Sequence, residues 1–474
     1  MDQYLNLMSL YDKSLAVSHV VMAMAQGTGS AKWIADSCNE WQQGGVDAGL
    51  IERVREVNAQ PDWHPSKIRD ELLFVRGRIA GQLVQEDGFP AAVKEHLANV
   101  IRGGGAMTRD GILEAYQHIQ PTFIRGLLTQ LGIEPAPQPG INGPRYLVQP
   151  TPLIYCAELS KILKRPVYLK MANQTLVGSY KIYGGTNAAV ILILAGKDPK
   201  AIRVGIGSHG NASLGTILGM HNLGIEQVVA ILPNHVSPLK EKMNRDFGGE
   251  VRRLGETFEQ AVAEARRRMA ETPETRFLIH AYDHVAVAEG QGAIGIELSL
   301  QLAALGFKMK DVSLVVPGGG GGLLSGLSLA LPRHKIYVVE SESHHYIHQS
   351  LQAGRRISAP DMGEHRDTHA EGTALLEVGH VNWPVIQKAV PKERSLVVQE
   401  ADIDKTLAFF WRELGIRAEG AGILSTAAML FGGLNTQQPG RPVVLVVSGH
   451  NIEPELHASI VADYGHRWSE GLRV

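Results

Sequence analysis

A mostly parallel α/β fold preceded by a helical N-terminal extension is what this 474-residue sequence predicts, and three features predict it. Apolar residues in the first 130 or so positions recur three and four apart, the period of a helix face. A stretch dense in proline follows, at Pro135, Pro137, Pro139, Pro144, Pro150 and Pro152, with Gly140 and Gly143 among them, where no helix can continue. Beyond it, short β-branched runs alternate with helical patterns, the signature of parallel strands covered by helices on both faces.

Ile68–Val84, Ala91–Ile101 and Asp110–Ile119 carry the helical spacing of the extension, which is placed at residues 1–135. It shows no convergent polar motif and is expected to serve as a dimerisation or lid element. Leu15–Ala25 imitates a secretion signal, but His19 interrupts the apolar run and Asp2 and Asp12 make its front acidic, so a buried helix is expected there. The catalytic part is placed at 145–474. Its expected strands are Pro166–Leu169, Ile202–Ile206, Gln227–Leu232, Phe277–Ala281, Val312–Val316, Ile336–Val339 and Val443–Val447. Ligands of such sheets bind at the carboxyl ends of the strands, where the glycine clusters of this chain fall.

Composition narrows the function. The 46 Lys and Arg against 48 Asp and Glu leave a net charge of −2, with no basic footprint for nucleic acid or an anionic membrane surface. No run of about 20 apolar residues is present. Two cysteines, Cys38 and Cys156, are too few for a disulfide framework or a thiolate metal site and fit a reducing, cytoplasmic setting. A small-molecule substrate is expected.

Three polar, glycine-rich turns carry the chemistry. Val312–Pro317 runs into Gly318, Gly319, Gly320, Gly321 and Gly322 and then an apolar helix; such a turn aims several N–H groups at one point beside a helix N-terminus and suits a phosphate. Gly205-Ile-Gly207-Ser-His-Gly210 has the form of a dinucleotide fingerprint. The acidic residue that should close the next strand, roughly 20 residues on, is missing, because that strand ends Leu232-Pro-Asn-His235. Lys181 opens a third helix after Asn173–Tyr180; the positive end of a helix dipole favours the neutral amine that attacks an aldehyde.

In this order the motifs resemble the fold-type II pyridoxal-phosphate enzymes, and within them the threonine/serine dehydratase branch. The resemblance runs from Gln149-Pro-Thr-Pro-Leu153 through Val177-Gly-Ser-Tyr-Lys181, Ser208-His-Gly-Asn211, Lys240–Val251 with its Phe247-Gly-Gly-Glu, Ala288-Glu-Gly-Gln-Gly292, Pro317–Gly322 and Glu419-Gly-Ala-Gly422 to Ser448-Gly-His-Asn451. It implies two subdomains of mostly parallel sheet flanked by helices, the smaller inserted at about 180–290, and a homodimer. It also implies that Lys181 carries pyridoxal 5'-phosphate as a Schiff base and then acts as general base. The glycines Gly318–Gly322 would cup the phosphate, Asn211 would bond the phenolic oxygen, and Ser448 would face the pyridine nitrogen. The substrate amino acid would be held by Ser179, Ser208, His209, Gly210 and Asn211.

A serine facing that nitrogen, unlike an aspartate, does not keep it protonated; the weaker electron sink favours expulsion of a β-leaving group. Elimination from a hydroxy amino acid to a 2-oxo acid and ammonia is the expected reaction, with β-replacement by a nucleophile as the alternative. The chain departs from the branch at Ala212, where a histidine usually follows the asparagine, and at Thr368-His-Ala-Glu371-Gly372, where the acid is longer than the usual aspartate. Histidines gather at His344, His345 and His348 and at His365 and His369. Arg366 occupies the place of the general base in a zinc-hydrolase motif, so these are read as loop or pocket histidines and no metal is expected.

Overall fold

The computed structural model describes residues 104–120 and 148–473, apart from 272–275, 333–334, 359–366 and 435–439, together with positions 100, 124, 127 and 128. The segments Leu15–Ala25, Ile68–Val84 and Ala91–Ile101, and His365, therefore lie largely or wholly outside the described residues. Residues 97–119 and 137–474 form one compact unit. The helix expected at Asp110–Ile119 is present as α1 (Arg109–His118), capped by Thr108, whose hydroxyl accepts the Gly111 N–H at 2.9 Å. Although the sequence assigned α1 to the extension, it shares that compact unit, and its Ile112 is fully buried in the catalytic core.

The chain then lays down β1 (Leu153–Tyr155), α2 (Ala157–Leu163) and β2 (Val167–Lys170), and crosses over through α3 (Lys181–Leu194) into a second sheet. That sheet contains β3 (Arg203–Gly207), α4 (Asn211–His221), β4 (Gln227–Leu232), α5 (Pro238–Asp246), β5 (Glu250–Arg253), α6 (Phe258–Met269) and β6 (Arg276–Leu278). The chain returns along α7 (Val285–Ala304) to β7 (Ser313–Pro317), α8 (Gly322–Ala330), β8 (Lys335–Ser341) and α9 (Tyr346–Ala353). It finishes with α10 (Trp383–Ala389), β9 (Ser395–Val398), α11 (Glu400–Leu414), α12 (Leu424–Leu430), β10 (Val443–Val446) and α13 (Pro454–Tyr464).

The six-stranded sheet has the order β1-β2-β10-β7-β8-β9 and is parallel except for β1; the four-stranded sheet, β5-β4-β3-β6, is parallel throughout. The central strands β7 and β10 are buried at every position, as parallel strands covered on both faces require.

Two features fix how the helices lie. Between α3 and α4 the backbones nearly touch: a Cβ on Gly185 would fall 2.2 Å from the Gly215 carbonyl oxygen, and one on Gly215 would fall 2.4 Å from the Lys181 carbonyl carbon. Under the large sheet, Lys170 at the end of β2 is fully buried. Its Nζ donates to the Thr151 carbonyl at 2.7 Å, to Glu297 on α7 at 2.9 Å and to Gln301 at 3.0 Å, while the Tyr183 hydroxyl donates to the other Glu297 oxygen at 2.7 Å. Every polar group in that network has a partner, the condition under which a buried ion pair is tolerated.

Candidate active site

The carboxyl ends of β3, β7 and β10 face a cleft that is partly open to solvent. Lys181, Ser179, Ser208, His209, Asn211 and Ser448 all line it, and so do Gly318, Gly320, Gly321 and Gly322. Residues that the sequence scatters over some 270 positions are thus brought together. Gly319 and Gly210 are not among the lining residues. The Gly319 N–H donates instead to the buried carboxyl of Glu340, and Gly210, at φ 118°, packs against the stem of Lys240.

The phosphate cradle follows from local geometry. Gly321 precedes α8 at φ 87°, a left-handed conformation that glycine adopts without strain, and no side chain caps the helix. The first amides of α8 therefore have no intrahelical acceptor and are available to an anion. A Cβ on Gly320 would lie 2.3 Å from the ring of Tyr282, so the turn is held tightly against that wall.

Lys181 is the first residue of α3, with its Nζ 4.8 Å from the centroid of the Tyr180 ring. Beside it Ser179 is 1% exposed, and among the described residues its hydroxyl has no hydrogen-bond partner. A buried hydroxyl in the wall of a cleft without a partner marks a place for a ligand. The Ser208 hydroxyl accepts the N–H groups of Gly210 at 2.9 Å and Ser213 at 3.2 Å, which shapes the loop and leaves its own O–H to donate. Ser448, just past β10, donates to the Ala421 carbonyl at 3.3 Å.

Asn211 is held from two sides. Its Nδ2 donates to Glu419 at 2.7 Å, and its Oδ1 accepts from Asn451 at 2.8 Å. Glu419 is in turn 3.5 Å from the Nζ of Lys240, which also donates to Glu371 at 3.0 Å. Burial alone would lower the Lys240 pKa, but the carboxylates of Glu419 and Glu371 outweigh it and hold the ammonium above its ordinary value. Burial pushes the Glu419 carboxyl up, and Lys240 opposes that shift.

Sequence reasoning passed over this charged group: Lys240, Glu371 and Glu419 stood within matching motifs but were given no role. Three charges so far apart in the chain leave no local pattern. Two of the histidines singled out in the sequence are tied to neighbouring side chains. His369 bonds Asp404 at 2.6 Å, and His348 bonds Ser395 at 3.1 Å. Among the described residues no set of side chains is arranged to hold a metal ion. An aromatic wall of Phe258 and Tyr282, stacked at 5.7 Å, closes one side of the cleft. Behind it His280 accepts the Asp283 N–H at 3.0 Å, and burial drives its pKa down to about 4, so the ring is neutral at ordinary pH.

The donor set fits pyridoxal 5'-phosphate: an amine for the aldehyde, uncapped helix amides for the phosphate, an amide and three hydroxyls for the ring and the substrate. Of the acids at the cleft, Glu419 is paired with Lys240 and bonded by Asn211, and Glu340, behind Gly318, accepts the Gly319 N–H.

Comparison with known proteins agrees with this. The family model described as "Pyridoxal-phosphate dependent enzyme" matches residues 145–449. The L-threonine ammonia-lyase of Thermotoga maritima is 31% identical over 320 residues, which cover 66% of this chain and 74% of that one. A T.th. threonine deaminase structure superposes with a TM-score of 0.55 at 28% identity, covering 64% of this chain and 93% of the other. Maize serine racemase, at 22% identity, shares the fold with a TM-score of 0.61 and covers 76% and 99% of the two chains. With the matched region spanning every strand of both sheets, this chain belongs to the pyridoxal-phosphate dependent enzyme family, in the branch of the threonine and serine dehydratases, and its cofactor is pyridoxal 5'-phosphate.

Proposed function

We propose that the protein is an ammonia-lyase acting by α,β-elimination on a hydroxy amino acid of the serine or threonine type, yielding a 2-oxo acid and ammonia. The observation that carries the reading is that Lys181 and the uncapped N-terminus of α8 line one cleft, an amine and an anion site within reach of a single small molecule. The activities of the threonine ammonia-lyase and threonine deaminase relatives support it. Bound there, the cofactor supplies an aldehyde for the substrate amine and an electron sink for the α-carbon.

The protein's own groups do the rest. The amides of Gly320–Gly322 would hold the phosphate, and an N–H of Asn211 would serve the phenolic oxygen. Ser179 and the Ser208–Asn211 loop take the substrate carboxylate. Lys181 Nζ accepts the proton leaving the α-carbon. Ser448 offers a neutral hydroxyl to the ring nitrogen, which keeps the electron sink weak and favours loss of the β-hydroxyl. The Phe258–Tyr282 wall limits water around the reacting carbons.

Further parts of this reading are a cytoplasmic homodimer, supported by the sparse cysteines and the resemblance, and the part of residues 1–135 other than α1 as a dimerisation or lid element, in addition to a catalytic region at 145–474. The deciding assay supplies the cofactor to purified protein, adds L-serine or L-threonine, and follows 2-oxo acid and ammonia with and without added thiol or amine nucleophiles. Turnover to both products without a nucleophile is expected, and Lys181→Ala is expected to lower kcat by about 10³-fold or more. A product formed only when a nucleophile is present would replace elimination with β-replacement.

A further inference from the structure

The charged group of Lys240, Glu419 and Glu371 has no part in the chemistry above, yet Lys240 and Glu419 line the same cleft and are firmly anchored. Lys240 is 3% exposed. The N-terminus of its helix is tied to the residue before α13: Glu453 accepts from the Ser237 hydroxyl at 2.5 Å and from the Leu239 N–H at 2.7 Å. The stem of Lys240 lies under Gly210, the residue immediately before Asn211, and Asn244 on the same helix donates to the Gly210 carbonyl at 3.2 Å. Burying an ammonium is unfavourable unless it is paired, and this one has two acids to pair with.

The pairing has a chemical consequence at Asn211. An amide presents an oxygen and a nitrogen of nearly equal shape, and which way it points is set by its partners. An ionised carboxylate is an acceptor only, so Glu419 takes the nitrogen end and Asn451 donates to the oxygen end. One Nδ2 hydrogen is thereby used and the second is left for the cleft. A neutral carboxyl or an amide at position 419 could donate as well as accept, and the orientation would lose its definition. Lys240 Nζ, 3.5 Å from the other oxygen of Glu419, favours the ionised, acceptor-only form against the burial that opposes it.

We propose that Lys240 is a positioning residue of the active site: by holding Glu419 it fixes the amide of Asn211, and so the donor that Asn211 presents to the cofactor. The inference rests on the proposed site and deepens it. Glu371, half exposed at the rim, completes the charge pairing without touching Asn211.

The test compares cofactor-loaded wild type with Lys240→Met, Lys240→Arg and Glu419→Gln, reading kcat and KM per bound cofactor, the visible absorption band of the bound cofactor, and the melting temperature of the cofactor-free protein. Lys240→Met is expected to bind the cofactor, lose at least roughly tenfold in kcat with KM changed by less than about threefold, and shift the visible band, in keeping with loss of one positioned donor. Lys240→Arg is expected to recover kcat to within about threefold of wild type, because a guanidinium can serve the same carboxylate. Where Lys240→Met does not fold, Glu419→Gln decides, since it preserves volume and removes the acceptor-only character; the same band shift and kcat loss are expected. A merely structural lysine would lower the melting temperature while leaving kcat and the band of the folded, loaded fraction as they were, and that result overturns the proposal. Wild type that takes up no cofactor at Lys181 would refute the site itself, a separate outcome.

Discussion

Ser179 shows how a single residue can be committed to a ligand rather than to the fold. Its hydroxyl is buried with no partner among the described residues, so replacing it with alanine removes no hydrogen bond from the folded chain. Ser179→Ala is therefore expected to leave the melting temperature unchanged or slightly higher. If the hydroxyl takes the substrate carboxylate, KM should rise about tenfold, the worth of one hydrogen bond to a charged group. Steady-state kinetics beside a thermal melt separates the two effects, and a lowered melting temperature with unchanged KM would remove Ser179 from the substrate site. At this scale the sequence was legible wherever a role is tied to a local motif. Lys181, Ser208, Asn211 and Ser448 each end or begin an element close to glycine, and all four reach the cleft. It was silent on Lys240, which stands in Lys240-Glu-Lys242 and reads as a solvated charged face. The buried acids that give it meaning lie in distant segments, and only the folded topology brings them together.

Elements were legible in proportion to their burial. The strands recognised from sequence include all those in the interior of both sheets, whose apolar runs are continuous. The three missed, β1, β5 and β9, are all edge strands; Glu250–Arg253 buries only Val251 and has no apolar run to find. The fourth edge, β6, was expected at Phe277–Ala281 and is observed at Arg276–Leu278, because its apolar run continues past the end of pairing. Among helices, α1 and α7 meet with an unusual feature at the contact. A Cβ on Gly111 would fall 2.1 Å from the carboxyl of Glu289, which accepts the Thr108 N–H at 3.2 Å. Burial raises the Glu289 pKa from 4.5 to about 8, and that of Glu114 on α1 to about 7. Between about pH 4.5 and 8 the folded protein retains protons that the unfolded chain has released. Stability from these groups is thus greatest at acid pH, falls as pH rises through that window, and levels off above it. Glu289→Gln carries no charge at any pH and keeps the acceptor for Thr108. It should match wild type near pH 5 and exceed it by roughly 1–3 kcal/mol above pH 8. Melts across that range check this; a difference that does not widen with pH would mean that Glu289 is not titrating in the contact.

For the whole molecule, the class of fold was readable because alternation of strand and helix is a global pattern, whereas the place of α1 was not. The proline-rich stretch after residue 130 suggests a boundary, yet α1, which precedes it, belongs to the compact unit of the catalytic sheets. A helix that completes a core and a helix of a separate extension have the same spacing of apolar residues, so periodicity alone does not distinguish them. The proposed homodimer is tested at this scale: sedimentation equilibrium of the 51.5 kDa chain is expected to give twice that mass, and a single-chain mass over the micromolar range would exclude it.

The ion pair beneath the large sheet ties the fates of two distant codons. Losing either Lys170 or Glu297 alone strands an ion in a dry interior, at a cost of about 3–5 kcal/mol, a large part of what holds an ordinary domain together. Exchanging both for oily residues of like size removes the stranded ion, and is nearly neutral once the Thr151 N–H and the Tyr183 hydroxyl, which also bond Glu297, are given other partners. Variation at the two positions is therefore passable only as a joint event, and a library that samples them one at a time would mistake a replaceable pair for an indispensable one.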